Sequence, residues 1–80
     1  MTHALKTIQP YFDLVVKGEK TFEVRKNDRP FKVGDKLLLQ EYSDNGYSGA
    51  EWNGSITYIL DDPKFVKSGF VILGIKEIES

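Results

Sequence analysis

Three side chains with complementary chemistry stand close together in this chain: Lys20, Glu23 and Arg25. An amine, a carboxylate and a guanidinium at that spacing can hold an anion, read the edge of a planar base, or move a proton. Arginine offers a planar fork of donors suited to a phosphate or a base edge, and a neighbouring carboxylate can fix it or accept from an exocyclic amine. Structurally, Glu23 and Arg25 could equally be a surface ion pair worth about 0–1 kcal/mol. Lys20 stands two residues before Phe22 and four before Val24, so a period-two strand gives it an apolar face. There a lysine either snorkels to the rim or is desolvated enough to serve as a base or nucleophile.

Further candidates flank this trio. Lys26 and Arg29 run into the Asn27-Asp28-Arg29-Pro30 turn, where they could contact backbone phosphates without reading sequence. His3, the only histidine, could act in acid–base chemistry or stack on a base, and Lys6 lies near it. Glu41 is the second carboxylate available to a catalytic lysine. Tyr42, Tyr47 and Trp52 surround a polar hairpin; at least two are expected to pack in the core or at its rim, and any left exposed would offer a stacking platform, Trp52 first among them.

These residues need elements to position them. Residues 4–8 are expected to form a first strand. Pro10 then opens a helix of about two turns, with Tyr11, Leu14 and Val15 on its apolar stripe and Phe12 and Val16 widening it. Gly18 ends that helix in a left-handed conformation. The period then becomes two. Phe22 and Val24 share one face with Lys20 and Lys26, while Thr21, Glu23, Arg25 and Asn27 take the other. Val33-Gly34-Asp35 is a turn. Residues 36–42 form a strand whose Leu37-Leu38-Leu39 centre suggests burial on both faces. Residues 43–49 read as a polar loop around Asn45-Gly46, a hairpin signal. Residues 55–60 and 70–77 are strands, and Asn53-Gly54 reads as a bulge or a competing turn. The order is strand, helix, then four antiparallel strands. Closing them into a small β-barrel, with the helix at one end, best hides their edges.

The bulk properties agree with one domain over residues 1–80 and narrow its chemistry. Without cysteine there are no disulfides, thiolate metal sites or cysteine nucleophiles, and one histidine makes an all-protein metal site improbable. No metal and no cofactor is therefore expected. No apolar stretch suggests a signal peptide or a membrane span, and a small domain without disulfides suits the cytoplasm. Net charge is −1, but residues 17–36 carry seven basic and four acidic groups, a local balance of +3. That segment is the part suited to an anionic partner.

The run Gly18-x-Lys20-x-x-Glu23-x-Arg25 resembles the G-x-K-x-x-E-x-R signature of the ASCH (activating signal cointegrator homology) domains, which are PUA-like β-barrels. More closely, the chain resembles a short single-domain branch found in bacteria and phages. The matching pieces are His3-x-Leu5-Lys6, Pro10-x-Phe12, the run from Lys20 to Arg29, Phe31 and Val33-Gly34-Asp35. The strands Ile56 to Leu60 and Val71 to Gly74 extend the match. The resemblance implies a PUA-like barrel with a cleft facing RNA or a nucleotide-like small ligand. Its contacts would come from Lys20, Glu23, Arg25, Lys26, Arg29, Lys6 and His3. One group of relatives deacylates N4-acetylcytidine with the motif lysine and a threonine three positions on. Here Lys20 is kept but position 23 is Glu23, and Thr21 falls on the other strand face. The first expectation is thus an RNA- or nucleotide-binding module. The alternative is a small hydrolase of a modified nucleoside or RNA, with Lys20 as activating residue and Glu23 as catalytic partner.

Overall fold

Alternation writes the first strand. In β1 (Thr2–Thr7) every second side chain, His3, Leu5 and Thr7, is buried, so the inward face begins at the histidine. The computed structural model describes residues 1–78. Helix α1 (Tyr11–Val16) follows Pro10 and buries Phe12 and Val15. It stops as expected at Gly18, whose φ of +78° is a conformation that a side chain would resist. Its apolar stripe is narrower than the sequence suggests, because Tyr11 and Val16 are about half exposed.

Four strands complete the chain: β2 (Phe22–Lys26), β3 (Lys36–Ser43), β4 (Gly46–Leu60) and β5 (Phe70–Glu77). They form one sheet in the order β1-β3-β4-β5-β2. The four strands after the helix pair antiparallel, and β1 joins β3 in parallel, with Leu5 beside Leu39. The molecule is mainly β with one short helix, its sheet curled into a small half-barrel. Strands β1 and β2 are the two edges. They are not joined by a ladder, so the barrel is left with a seam.

Inside the curl lies one core of Leu5, Phe12, Val15, Leu37, Leu39, Trp52, Ile56, Val71, Leu73 and Ile75. Each large member contributes roughly 1.5–3 kcal/mol by leaving water. Leu37 and Leu39 are fully buried, whereas Leu38, on the outer face, is partly exposed, so the burial expected on both faces of β3 is incomplete.

Strand β4 departs furthest from its sequence. The expected loop over residues 43–49 shrinks to a tight turn at Asp44-Asn45, and the strand runs fifteen residues from Gly46. Its first part has weak intrinsic strand preference but is held by pairing with β3, Tyr42 opposite Tyr47 and Gln40 opposite Glu51. The two tyrosine rings meet edge to face at 5.1 Å. Asn53-Gly54 is neither turn nor bulge; Gly54 sits in the ladder opposite Leu37 and Glu77. The irregularities fall instead between Gln40 and Tyr42 and between Ile56 and Tyr58. Trp52 is 6 % exposed and packs in the core, so it offers no stacking surface.

At the far end of β1, buried His3 places Nε2 2.8 Å from Asp35 Oδ2, its ring tilted against Phe31 at 4.7 Å between centroids. Asp35 also accepts from the Lys32 backbone N–H at 3.1 Å and from the terminal amine at 3.3 Å. These contacts, the His3 hydrogen bond first, hold the Asp35 carboxyl below its ordinary range against an opposing effect of desolvation. A carboxyl lowered on folding stabilises the native state above its unfolded pKa, about 3.9, and loses that contribution as pH falls through the folded value. Thermal melts from pH 7 to pH 2 should therefore show Asp35→Asn less stable than wild type at neutral pH. The gap should narrow below about pH 4; a gap constant down to pH 2 would contradict this.

Candidate functional site

The site lies on the seam, and Lys20 owes its place there to the helix end. The backbone N–H groups of Glu19 and Lys20 both donate to Leu14 O at 3.0 Å, so Lys20 is anchored to α1 ahead of the strand. It escapes the period-two rule, which begins only at Phe22. Its Nζ donates to Glu23 Oε1 at 2.9 Å and to the Phe22 carbonyl at 2.7 Å. The same ammonium lies 4.9 Å from the Phe22 ring centroid and 5.8 Å from that of Tyr11, within cation–π range.

On β2 the structure reverses the faces expected from hydropathy. Glu23 is 4 % exposed, and Arg25 turns inward beside it with its side chain 21 % exposed. Phe22 and Val24, at 44 % and 49 % exposure, are the ones turned out. The inversion is tolerable because the inward polar groups satisfy one another. Arg25 Nη2 lies 3.2 Å from Glu23 Oε2 and donates to Thr7 Oγ1 at 3.0 Å. The Thr7 bond crosses from one edge strand to the other and links them where no ladder does. Glu23 thus stands between two cations, and the trio carries a net charge of +1. Among the described residues, Arg25 Nε is the buried side-chain polar atom without a hydrogen-bond partner.

Above this network opens a groove of about 560 Å³, within the size range of small-molecule sites. Its floor is Thr7, Glu23 and Arg25 with Lys20 beside Glu23; Ile8, Tyr11, Phe22 and Val24 give it apolar walls, and Lys6 stands at its margin. Residues from both faces of β2 reach it because β2 is an edge strand.

The remaining candidates separate. Lys26 and Arg29 border a smaller depression of about 190 Å³ that shares Arg25 with the groove. Lys6 lines the groove, with Nζ 4.5 Å from the Tyr42 ring and 5.9 Å from that of Tyr47. His3 is not part of this constellation. It lies four residues before Thr7, roughly 13 Å along the strand, and is committed to Asp35. Glu41 bonds to Ser48 Oγ at 2.6 Å and to Gln9, leaving Glu23 as the carboxylate beside Lys20. Thr21 is exposed and lines a different depression. Sequence reasoning passed over Thr7, Ile8 and Tyr11. Counting by twos from buried Leu5 would have put Thr7 inside; nothing in the sequence announces that α1 turns Tyr11 toward the seam.

The fold and site define a small half-barrel with a charge-floored groove between its unpaired edges. The chain belongs to the family described as "Domain of unknown function (DUF3850)", whose pattern matches residues 2–75. It is also 39 % identical over 59 residues to the "Uncharacterized 12.9 kDa protein in GpA 3'region" of Escherichia phage P2. That match covers 74 % of this chain and 54 % of the phage protein, so the chain spans about half of that relative's length.

Proposed function

We propose that this domain is an RNA- or nucleotide-binding module of the PUA-like kind, working in the cytoplasm, with the seam groove as its binding site. The observation that carries the reading is the Lys20–Glu23–Arg25 network, its carboxylate buried and its two cations partly covered, at the floor of an open groove with aromatic walls. Buried charges held by one another are costly to maintain, and here they sit where a ligand can reach them. The walls suit a flat ring, and the surrounding Lys6, Lys26 and Arg29 suit a phosphate backbone. The signature resemblance points the same way. No described helix is long and apolar enough to cross a membrane.

Hydrolysis finds less support. Position 23 is Glu where the deacylating relatives carry threonine, and Lys20 Nζ is already bonded to Glu23 and to the Phe22 carbonyl. Turnover of acylated cytidines or short RNAs that disappears in Lys20→Ala would reinstate it.

Fluorescence titration with a labelled single-stranded RNA tests the binding reading. Arg25→Ala should weaken affinity by about tenfold to a hundredfold, as expected for loss of a charge-assisted contact. Lys26→Ala should lower the salt slope by roughly 0.7 if it neutralises one phosphate of a single strand. A flat titration at low salt, or an Arg25→Ala curve that overlays wild type, would count against the proposal.

A further inference from the structure

The floor and margin of the groove differ in what they can accept. At the floor the cations are already matched to a buried carboxylate, Lys20 on Glu23 Oε1 and Arg25 on Glu23 Oε2. A phosphate pushed there would have to share the two cations with that carboxylate and would meet its like charge at close range. A neutral planar edge meets no such repulsion. Glu23 has about four lone-pair sites, of which these partners use two. It can therefore still accept. The Arg25 guanidinium and the Lys20 ammonium can still donate, and Arg25 Nε lacks any partner among the described residues. The free capacity is thus an acceptor beside donors.

We infer, building on the nucleotide-binding proposal, that the groove takes the Watson–Crick edge of an unpaired base at its floor and leaves the phosphate outside. Each of the four bases sets a donor beside an acceptor on that edge: N3–H and O4 in uracil, N1–H and O6 in guanine, and an exocyclic amine beside a ring nitrogen in cytosine and adenine. The donor faces Glu23 and the acceptor faces Arg25 or Lys20. Tyr11 and Phe22 supply apolar ring surface alongside. The cations free for phosphate lie outside the floor. Lys6 is at the margin and Lys26 and Arg29 lie beyond Arg25, none of them in an ion pair among the described residues. A site that reads this edge excludes a base already paired, so it selects single strands over duplexes.

The test is calorimetric or NMR titration of the wild-type domain with uridine and guanosine, their 5′-monophosphates, 3-methyluridine, 1-methylguanosine and inorganic phosphate. A short single-stranded RNA and its duplex complete the set. The parent nucleosides should bind within about threefold of their monophosphates. The methylated nucleosides, whose edge donor is blocked, should bind at least about tenfold more weakly. Phosphate should not compete, and the duplex should bind less well than the single strand. Monophosphates that bind while nucleosides do not, phosphate that competes, or methylated nucleosides that match their parents would overturn the base-inward orientation and leave nucleotide binding standing. If neither nucleotides nor single-stranded RNA bind, the functional reading itself falls, and this inference with it.

Discussion

Glu23→Ala is expected to destabilise the domain by about 3 kcal/mol, toward the low end for breaking a buried ion pair because the groove admits water. The carboxylate is almost fully covered and is the shared partner of Lys20 and Arg25. Its removal leaves two cations facing each other across a cavity, with Arg25 Nε still unpartnered. For a domain of this size the loss corresponds to a fall in Tm of roughly 12–24 °C. Glu23→Gln keeps an acceptor between the cations and should cost less, about 1–2 kcal/mol. If the alanine variant melts within about 2 °C of wild type, the network is a surface decoration and not a buried floor.

Gly54→Ala should be as damaging for a purely steric reason. A Cβ at this position would run into the Trp52 ring and come within 2.7 Å of the Lys76 carbonyl oxygen. The ring is wedged in the core and the carbonyl belongs to the neighbouring strand, so neither can yield cheaply. Overpacking of this kind costs about 1–3 kcal/mol and sometimes more, and a rigid indole against backbone places it at the upper end. Trp52→Leu would remove the obstacle at a cost of its own. The double variant should then be less destabilised than the sum of the two single changes, by at least about 1 kcal/mol in chemical denaturation. Strict additivity would show that the two residues do not share the space.

What the sequence conveys follows from how local each signal is. The helix stop at Gly18, a hairpin beside Asn45-Gly46 (its turn falling one residue earlier, at Asp44-Asn45) and the strand, helix, four-strand order all depend on residues a few positions apart, and the structure keeps them. The parallel pairing of β1 with β3 joins residues more than thirty positions apart and leaves no short-range trace. Hydropathy misassigns the faces of β2 because that rule assumes the apolar face seeks the core. On an edge strand beside a seam, mutual satisfaction of Glu23, Arg25 and Thr7 outweighs the preference of Phe22 and Val24. For Trp52 the polar residues around it leave platform and packing both open in the sequence, and Gly54 beside it is the space its ring occupies. His3, a candidate in the sequence, lies apart from the groove and is hydrogen-bonded to an aspartate that follows it by 32 positions.

The trio Lys20, Glu23 and Arg25 was legible as a set, and its joint use required Lys20 to lie where the strand's alternation has not yet begun. Its anchoring to Leu14 meets that requirement. For Thr7, the partner that joins the trio to the opposite edge, alternation gives the inward position but not the role, because an isolated threonine in a strand carries no chemical signature.

The most direct measurement is a two-dimensional amide NMR titration of the folded domain with a short single-stranded RNA. Shifts should concentrate at Thr7, Tyr11, Lys20 and the residues from Phe22 to Arg25, with smaller changes at Lys26 and Arg29, and should saturate. Saturating shifts confined to the outer face of β4, around Glu51, Asn53 and Thr57, or a spectrum unchanged by RNA at low salt, would contradict a nucleotide site in the seam.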